Sequence, residues 1–309
     1  MDASGKRFYY KQNRLKKLRA FCYAVQAKSI SKAAERLFLS QPSVSLQVRA
    51  LEQELGVTLF ERRGPRIELT PEGDVLYELA SPLVDGMDNL PAVFAERCGS
   101  LDSGELDIAA GESTILYILP RFLKSFAAKY PGIRLRMHNV TGRDGLAQLR
   151  ADQVDFAVGS MLDVPDDIEY RPIFSYDTVL ITSPDHPLAK HRKVTLDDIS
   201  PHGLILPPRH LSTWRVVDLV FQQHGLPYNV TLEAGGWEVI KKYVRLGLGV
   251  SIVSSICLSD DDDLRVVPLD AYFPKRTYGV VTRRGKFLSP AARRFIASMD
   301  PDFFDRPRK

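Results

Sequence analysis

The chain has 309 residues, of which 44% are hydrophobic and 26% charged; these are globular proportions with room for about two domains, and they exclude a peptide, a minimal module or a low-complexity chain. The net charge of +4 hides an asymmetry: residues 1–70 hold 14 Lys and Arg against 6 Asp and Glu, a balance of +8, whereas the remaining 239 residues hold 28 against 32, a balance of −4. A basic head on a near-neutral body is the distribution expected of a nucleic-acid partner at one end, with a solvated basic face as the alternative on charge alone.

In chain order, Leu15, Leu18, Phe21, Cys22 and Val25 recur at helical spacing, and Ile30, Ala33, Ala34 and Leu37 repeat the pattern in a shorter run. Ser29 or Ser31 can cap this second helix. In the next stretch, "SQPSVSLQ", Ser40 is placed as an N-cap and Pro42 in the first turn, where its missing N–H has no helical partner to lose. At 100° per residue Val44, Val48, Leu51 and Leu55 are predicted to face the core, leaving Pro42, Leu46, Arg49 and Gln53 outward with Gln41 and Ser45 flanking them. Such an outer face suits a helix lying in the major groove: Gln can pair with adenine, Ser or Arg can reach a base or phosphate, and an apolar side chain can meet a thymine methyl. A plain three-helix bundle with one exposed leucine is the alternative. "GVTLFERRGPRIELTPEG" then predicts a strand, a tight turn at Gly64-Pro65 and a second strand, with Arg62, Arg63 and Arg66 about the tip.

The run "SISKAAERLFLSQPSVSLQVRALEQELGVTLFERRGPRIELTPEG" resembles the winged helix-turn-helix of the LysR-type transcriptional regulators. The resemblance covers the Ala-Ala of the second helix, Ser-Gln-Pro, Ser-x-Gln, Leu-Glu, Leu-Gly, Leu-Phe-Glu-Arg and Leu-Thr-Pro-x-Gly. It implies a DNA-binding domain at 12–70, with Gln41, Pro42, Ser45 and Leu46 toward the bases, Ser31, Arg49, Arg62 and Arg63 toward the backbone or minor groove, and Ser43 also among the DNA-binding residues. It also implies double-stranded DNA with an interrupted palindrome as the target, a homodimer or homotetramer, and RNA polymerase as a further partner.

Thr70 can cap and Pro71 open a long helix in which Leu76, Leu79, Leu83, Met87, Leu90 and Phe94 alternate steps of three and four. This linker, 71–98, is a seam for another helix, and the resemblance implies that it pairs with its twin; packing on its own domain is the alternative. Pro82, Gly86 and Pro91 lie inside it, and an interior proline costs about 3 kcal/mol, so a kink or stop is expected.

From Gly104 strand-like runs such as "LDIAAG", "IRLRMHNV", "VDFAVG", "GLILPP" and "VTLEAGG" alternate with helical ones, which predicts an α/β body at 104–300. "VLITSPDHPLA" reads as the crossover into a second subdomain and "RTYGVVTRRG" as the return, giving subdomain I about 104–180 and 282–300 and subdomain II about 181–281. Ligands in such folds sit beyond the carboxyl ends of strands, which makes Ser113, Thr114, Thr141, Ser212, Thr213 and Trp237 candidate walls and Arg209 a candidate counter-charge; for each hydroxyl, helix capping is the alternative. The body resembles, more loosely, the type II periplasmic-binding-protein-like effector domain of the same family, and "YVRLGLGVSIV" is most similar to its CysB-like branch. Ser212 then falls at a ligand-binding Thr of that branch, but Glu112, Ile115, Leu116 and Trp237 make the site more apolar and less friendly to anions, so the branch's effector is not carried over. The fold class expected is α/β with an all-α-type winged helix-turn-helix head and a body of two α/β subdomains.

An enzyme reading finds no HExxH, Walker A or GxSxG, and only an incomplete glycine fingerprint in "GLGVS". The six histidines, at 138, 186, 191, 202, 210 and 224, show no ligand pairing, and "SDDDDLR" lacks the glycine and distal glutamate of a calcium loop and reads as a solvated acidic turn. Three cysteines, Cys22, Cys98 and Cys257, have no metal or CxxC spacing. The longest apolar stretch, Gly247 to Leu258, is too short to span a bilayer. The expectation is a cytoplasmic transcriptional regulator that is not an enzyme, uses no metal or cofactor, has no membrane partner, and senses a small polar or anionic metabolite. An architectural DNA binder without effector, or an enzyme fused to a helix-turn-helix, are the alternatives.

Overall fold

In the computed structural model, which describes residues 14–63, 66–97, 103–140 and 142–306, the chain opens with α1 (Arg14–Ala27), α2 (Ile30–Leu37) and α3 (Gln41–Leu55). Their small residues let the helices approach closely: Ala20, Ala24, Ala33 and Ala34 bury against Val44 and Val48. Ser29, not Ser31, caps α2 by accepting from Lys32 N–H, and Phe38 closes it in the left-handed region at φ 54°. Ser40 caps α3 by accepting from Ser43 N–H, with Pro42 in the first turn. Leu55 departs from expectation, being exposed while Val44, Val48 and Leu51 are buried. It is the last residue of α3 before the Gly56 cap, and at a helix end the periodicity no longer has a core to face.

β1 (Phe60–Arg63) and β2 (Arg66–Leu69) pair antiparallel from Phe60↔Leu69 to Arg63↔Arg66; the tip, Gly64-Pro65, lies outside the described residues. Two motifs anchor this hairpin. Glu52 of the Leu-Glu pair accepts from Leu59 N–H at 2.9 Å. Thr70 donates to Thr58 C=O at 2.7 Å and accepts from Gly73 N–H at 3.0 Å. A Cβ at Gly73 would lie 2.3 Å from the Leu59 carbonyl oxygen, so the final glycine of Leu-Thr-Pro-x-Gly is a matter of space.

α4 (Pro71–Asp88) runs through Pro82 without ending, and the stop falls at Asn89, whose amide donates to Asp85 C=O at 2.8 Å. α5 (Leu90–Arg97) then restarts with Pro91 in its first turn. The linker is therefore two helices: Pro82 is carried inside the first, and Pro91 sits in the first turn of the second, where its missing N–H has no helical partner to lose. One face of α4 packs on the head through Ala80 and Val84, beside Phe21, Cys22, Leu51 and Leu59. Its end is tied down by Asp88, which accepts from Arg19 and from the Tyr23 hydroxyl. The other face carries Val75, Leu79, Leu83 and Met87, exposed, and continues into exposed Leu90 and Phe94. These five helices and two strands form one compact unit with residues 150–153 and 285–290.

The second unit carries β3 (Gly104–Ala110), α6 (Glu112–Tyr117), α7 (Leu119–Lys129), β4 (Ile133–Asn139), α8 (Gly142–Arg150), β5 (Phe156–Gly159), β6 (Ile168–Tyr176), β7 (Thr178–Thr182), α9 (Leu196–Ile199), β8 (Gly203–Leu206), α10 (Ser212–Gln223), β9 (Asn229–Glu233), α11 (Trp237–Arg245), β10 (Ser251–Ser254), β11 (Arg265–Pro268), β12 (Arg276–Arg283) and α12 (Pro290–Met299). A five-stranded sheet has the order β4-β3-β5-β12-β6, parallel among β4, β3 and β5 and antiparallel at β12. β10-β7-β11 is antiparallel, β8-β9 is a parallel pair, and a bridge from Leu204 to Val250 links these two groups.

Alternation along these strands distributes side chains to two layers. Leu180, Leu204 and Leu206 face α10 through Trp214, Val217 and Phe221, while Val179, Ile181 and Ile205 face α11 through Trp237, Ile240 and Val244. The crossings between sheets fall earlier than expected. β7 already belongs to the second sheet from Thr178, and β12 to the first over its whole length from Arg276, so the boundaries lie near 177 and 275 and not near 181 and 281. Hydrogen-bonded partners decide which sheet a strand joins, and a strand's own residues do not encode them. Among the described residues no helix is long and apolar enough to cross a membrane.

Candidate functional site

Two surfaces collect the residues singled out above. On the head, α3 is held by Val44, Val48 and Leu51, which turns Gln41, Pro42, Leu46, Arg49 and Gln53 to solvent. Leu46 is 66% exposed. Ser43 and Ser45 are half-buried at the edges of this face, and the Ser43 hydroxyl lies 2.8 Å from that of Ser40. Ser31 is exposed in the first turn of α2. The backbones of Arg62 and Arg63 lie in β1, the hairpin that follows α3; their side chains lie outside the described residues, as does Thr141. A single convex face with amide, hydroxyl, guanidinium and one apolar group offers each type of contact that a major groove can take.

On the body, the second surface lies where the two sheets meet. α10 and α11 follow β8 and β9, whose ends are neighbours through Ala234 N–H donating to Leu206 C=O at 3.0 Å. The N-caps are Leu211 and Gly236, and neither supplies a side-chain cap. The first-turn hydroxyls of α10 are not caps either. Thr213 Oγ1 accepts from Arg276 Nη1 at 2.8 Å, and Ser212 Oγ accepts from Arg276 Nη2. Arg276 opens β12 of the five-stranded sheet, so its guanidinium joins that strand to the first turn of α10, and its buried Nε has no partner. Ser113 and Thr114 sit in the first turns of α6, behind an N-cap that is Gly111; Ser113 is half-buried and Thr114 buried. Arg209 is exposed and stacks over the Trp214 ring at 5.1 Å. Trp237 is buried in the core with Ile240 and Val244, which leaves Gly236 as the backbone facing α6.

A third cluster was not legible in the sequence. Lys241, 6% exposed, donates to Cys257 C=O at 2.8 Å and to Asp262 at 2.9 Å, and pairs with Glu238 at 2.9 Å. Burial alone pushes its ammonium pKa down, but the bonds to Asp262 and Glu238 outweigh this and raise it. Asp262 therefore corrects the solvated reading of "SDDDDLR": this acidic turn carries the counter-ion of a buried lysine. Tyr117 of α6 donates to Glu238, and burial together with that acceptor holds the phenol protonated. His186 and His202 meet edge to face, 4.6 Å between ring centres, and His186 Nδ1 accepts from Leu188 N–H at 3.2 Å. Among the described residues no group of His, Cys, Asp and Glu has a metal-binding arrangement.

Comparison with known proteins finds a family for each of the two parts of the chain. The family "Bacterial regulatory helix-turn-helix protein, lysR family" matches residues 15–74, and "LysR substrate binding domain" matches residues 99–302. The chain is 34% identical over 291 residues to the RuBisCO operon transcriptional regulator of Allochromatium vinosum, covering 92% of this chain and 95% of that one. It is 31% identical over 265 residues to the HTH-type transcriptional regulator CysB of Haemophilus influenzae, covering 84% and 81%. A full-length OxyR variant from Pseudomonas aeruginosa shares the fold with a TM-score of 0.66 at 22% identity, over 92% of this chain and 97% of that one. The chain belongs to the LysR family: it is a LysR-type transcriptional regulator with an effector-binding domain, and its relatives are regulators, not enzymes. Regulators of this family bind DNA and form oligomers.

Proposed function

We propose that the chain binds an interrupted palindrome in double-stranded DNA as a homodimer or homotetramer in the cytoplasm, with its DNA-binding head at 12–70, its linker at 71–98 and its effector domain at 104–300. The observation that carries this reading is the single outward face of α3, where Gln41, Pro42, Leu46 and Arg49 are exposed together. Gln41, Pro42 and Ser45 face bases, Leu46 meets a thymine methyl, Ser31, Arg49, Arg62 and Arg63 hold the backbone or minor groove, and Ser43 completes the DNA-binding set. The exposed apolar face of α4 and α5 pairs with that of a second copy and so sets the spacing of two half-sites.

A small polar or anionic effector binds where the body's sheets meet, at Ser212, Thr213 and Arg276, with Ser113, Thr114, Thr141 and Arg209 as further contacts, while Trp237, expected as a wall, supports the site from the core. Binding changes how the subunits are arranged, and so how DNA is bent and contacted at a promoter read by RNA polymerase.

The test is a footprint of the operator followed by titration of two variants across salt concentrations. Gln41→Ala with Ser45→Ala is expected to lower the ratio of specific to non-specific affinity by at least about tenfold, leaving the salt slope unchanged. Arg62→Ala with Arg63→Ala is expected to flatten that slope. Equal loss of specific and non-specific binding in the first variant overturns the assignment of the reading face.

A further inference from the structure

The proposed effector site draws on two opposite charges, and together they narrow the ligand beyond "polar or anionic". One pole is Arg276. Its two terminal nitrogens are engaged by Thr213 and Ser212, its buried Nε has no partner, and it lies against the first turn of the twelve-residue α10, whose N-cap supplies no side chain. Guanidinium, hydroxyls and free N–H groups converge there as a receptor for a carboxylate or similar anion. The other pole is Glu112. A Cβ built on Gly236 would lie 2.9 Å from Glu112 Oε2 and 3.0 Å from Oε1, so the carboxylate is set against the backbone that opens α11. Gly236 has φ 79°, a conformation that favours glycine and admits this close approach. Among the described residues Glu112 makes no hydrogen bond or ion pair. Lys241, the ammonium on the adjoining helix, is already engaged by Asp262 and Glu238.

A purely anionic ligand would satisfy Arg276 and be repelled by Glu112; a purely cationic one would meet the reverse. We propose that the ligand is a zwitterion, a small molecule that carries both a carboxylate and an ammonium group, with the carboxylate on Arg276, Ser212 and Thr213 and the ammonium on Glu112. The proposal rests on the effector site described above and adds the sign of charge required at each end. Glu112 is then the residue that rejects simple anions, one of the four, with Ile115, Leu116 and Trp237, that set this chain apart from its CysB-like resemblance in the sequence.

The experiment uses the full-length protein in a thermal-shift screen, with isothermal titration of every hit. The probes are the proteinogenic α-amino acids, β-alanine, 4-aminobutyrate and 5-aminovalerate, each beside its N-acetyl and carboxamide counterparts, together with inorganic sulfate. At least one free amino acid is expected to stabilise the protein, with each singly charged counterpart bound at least about tenfold more weakly. Glu112→Gln, a change at an exposed position, is expected to abolish the preference over the N-acetyl form, and Arg276→Gln the preference over the carboxamide. Sulfate or N-acetyl acids binding the unaltered protein as well as free amino acids, or no free amino acid binding at all, overturns the zwitterion. Binding of any probe that is indifferent to both Arg276→Gln and Ser212→Ala overturns instead the location of the effector site.

Discussion

Lys241 Nζ and Asp262 Oδ1 lie 2.9 Å apart, joining the inner side of α11 to an acidic turn and so letting a buried lysine stay charged. Lys241→Met leaves Asp262 and Glu238 facing each other without the ammonium, and is expected to cost about 3 kcal/mol, read by urea unfolding at neutral pH. The pair also sets a plateau. Asp262 is lowered from 3.8 by its bonds to Lys241 and Ser259, which outweigh burial, so its stabilisation is full above 3.8 and is lost as pH falls through the folded value. Lys241 is raised from 10.5, so its share is full below 10.5 and is lost as pH climbs through the folded value.

His186 supplies a pH dependence of its own. Burial and the neighbouring His202 lower its pKa from 6.5, so the unfolded chain takes the proton more readily than the folded one. The stability it contributes is present above 6.5 and declines as pH falls through the lower folded value. His186→Asn keeps an acceptor for Leu188 N–H without the titration, and is expected to reduce the fall in Tm between about pH 7.5 and about pH 5.5. An unchanged profile would place the dependence elsewhere.

Phe38 is held at φ 54° and is 95% exposed. An L-residue in this region is strained by about 1 kcal/mol, and an exposed ring returns little packing. Phe38→Gly is expected to raise stability by about 0.5 kcal/mol after the extra entropy of the unfolded glycine is counted. Calorimetry showing a loss would mean that the ring makes a stabilising contact.

Leu79 and Leu83 are 66% and 64% exposed on α4. Burying a leucine is worth about 2 kcal/mol, so Leu79→Glu with Leu83→Glu is expected to raise the dimer dissociation constant at least about a hundredfold in sedimentation, with the fold intact by circular dichroism. Unchanged association would remove this face from the dimer.

Leu46→Gln tests the apolar contact on the reading face. The expected outcome in a binding-site selection is a changed base at one position per half-site, worth about 1 kcal/mol of discrimination, with the salt slope of binding preserved. Selection of the same operator at the same affinity would mean that Leu46 does not touch a base.

Much of this was legible because it is local. Ser40 and Thr70 act as caps, Pro42 and Pro71 open helices, and Val44, Val48 and Leu51 mark a buried arc; each depends on neighbours within one or two turns. The outward set on α3 follows from that arc by elimination, and the strand-like runs of the body, among them "LDIAAG", "IRLRMHNV", "VDFAVG", "GLILPP" and "VTLEAGG", each contain a strand. Leu55 failed where its helix stopped, and of the linker's two prolines Pro82 stayed inside a helix while Pro91 came to open the next one after the break at Asn89.

What the sequence determined alone is therefore the helix-turn-helix head, the α/β alternation of the body, the family, and the residues a helix must turn outward, since periodicity and capping are properties of consecutive residues. Only the tertiary structure decided that Arg276 reaches Ser212 and Thr213 across 64 and 63 positions of chain, that Glu112 meets Gly236, and that Asp262 neutralises Lys241. Strand order and sheet crossings bring those partners together, and charges so far apart in sequence acquire their meaning only when folding sets them within a few ångströms.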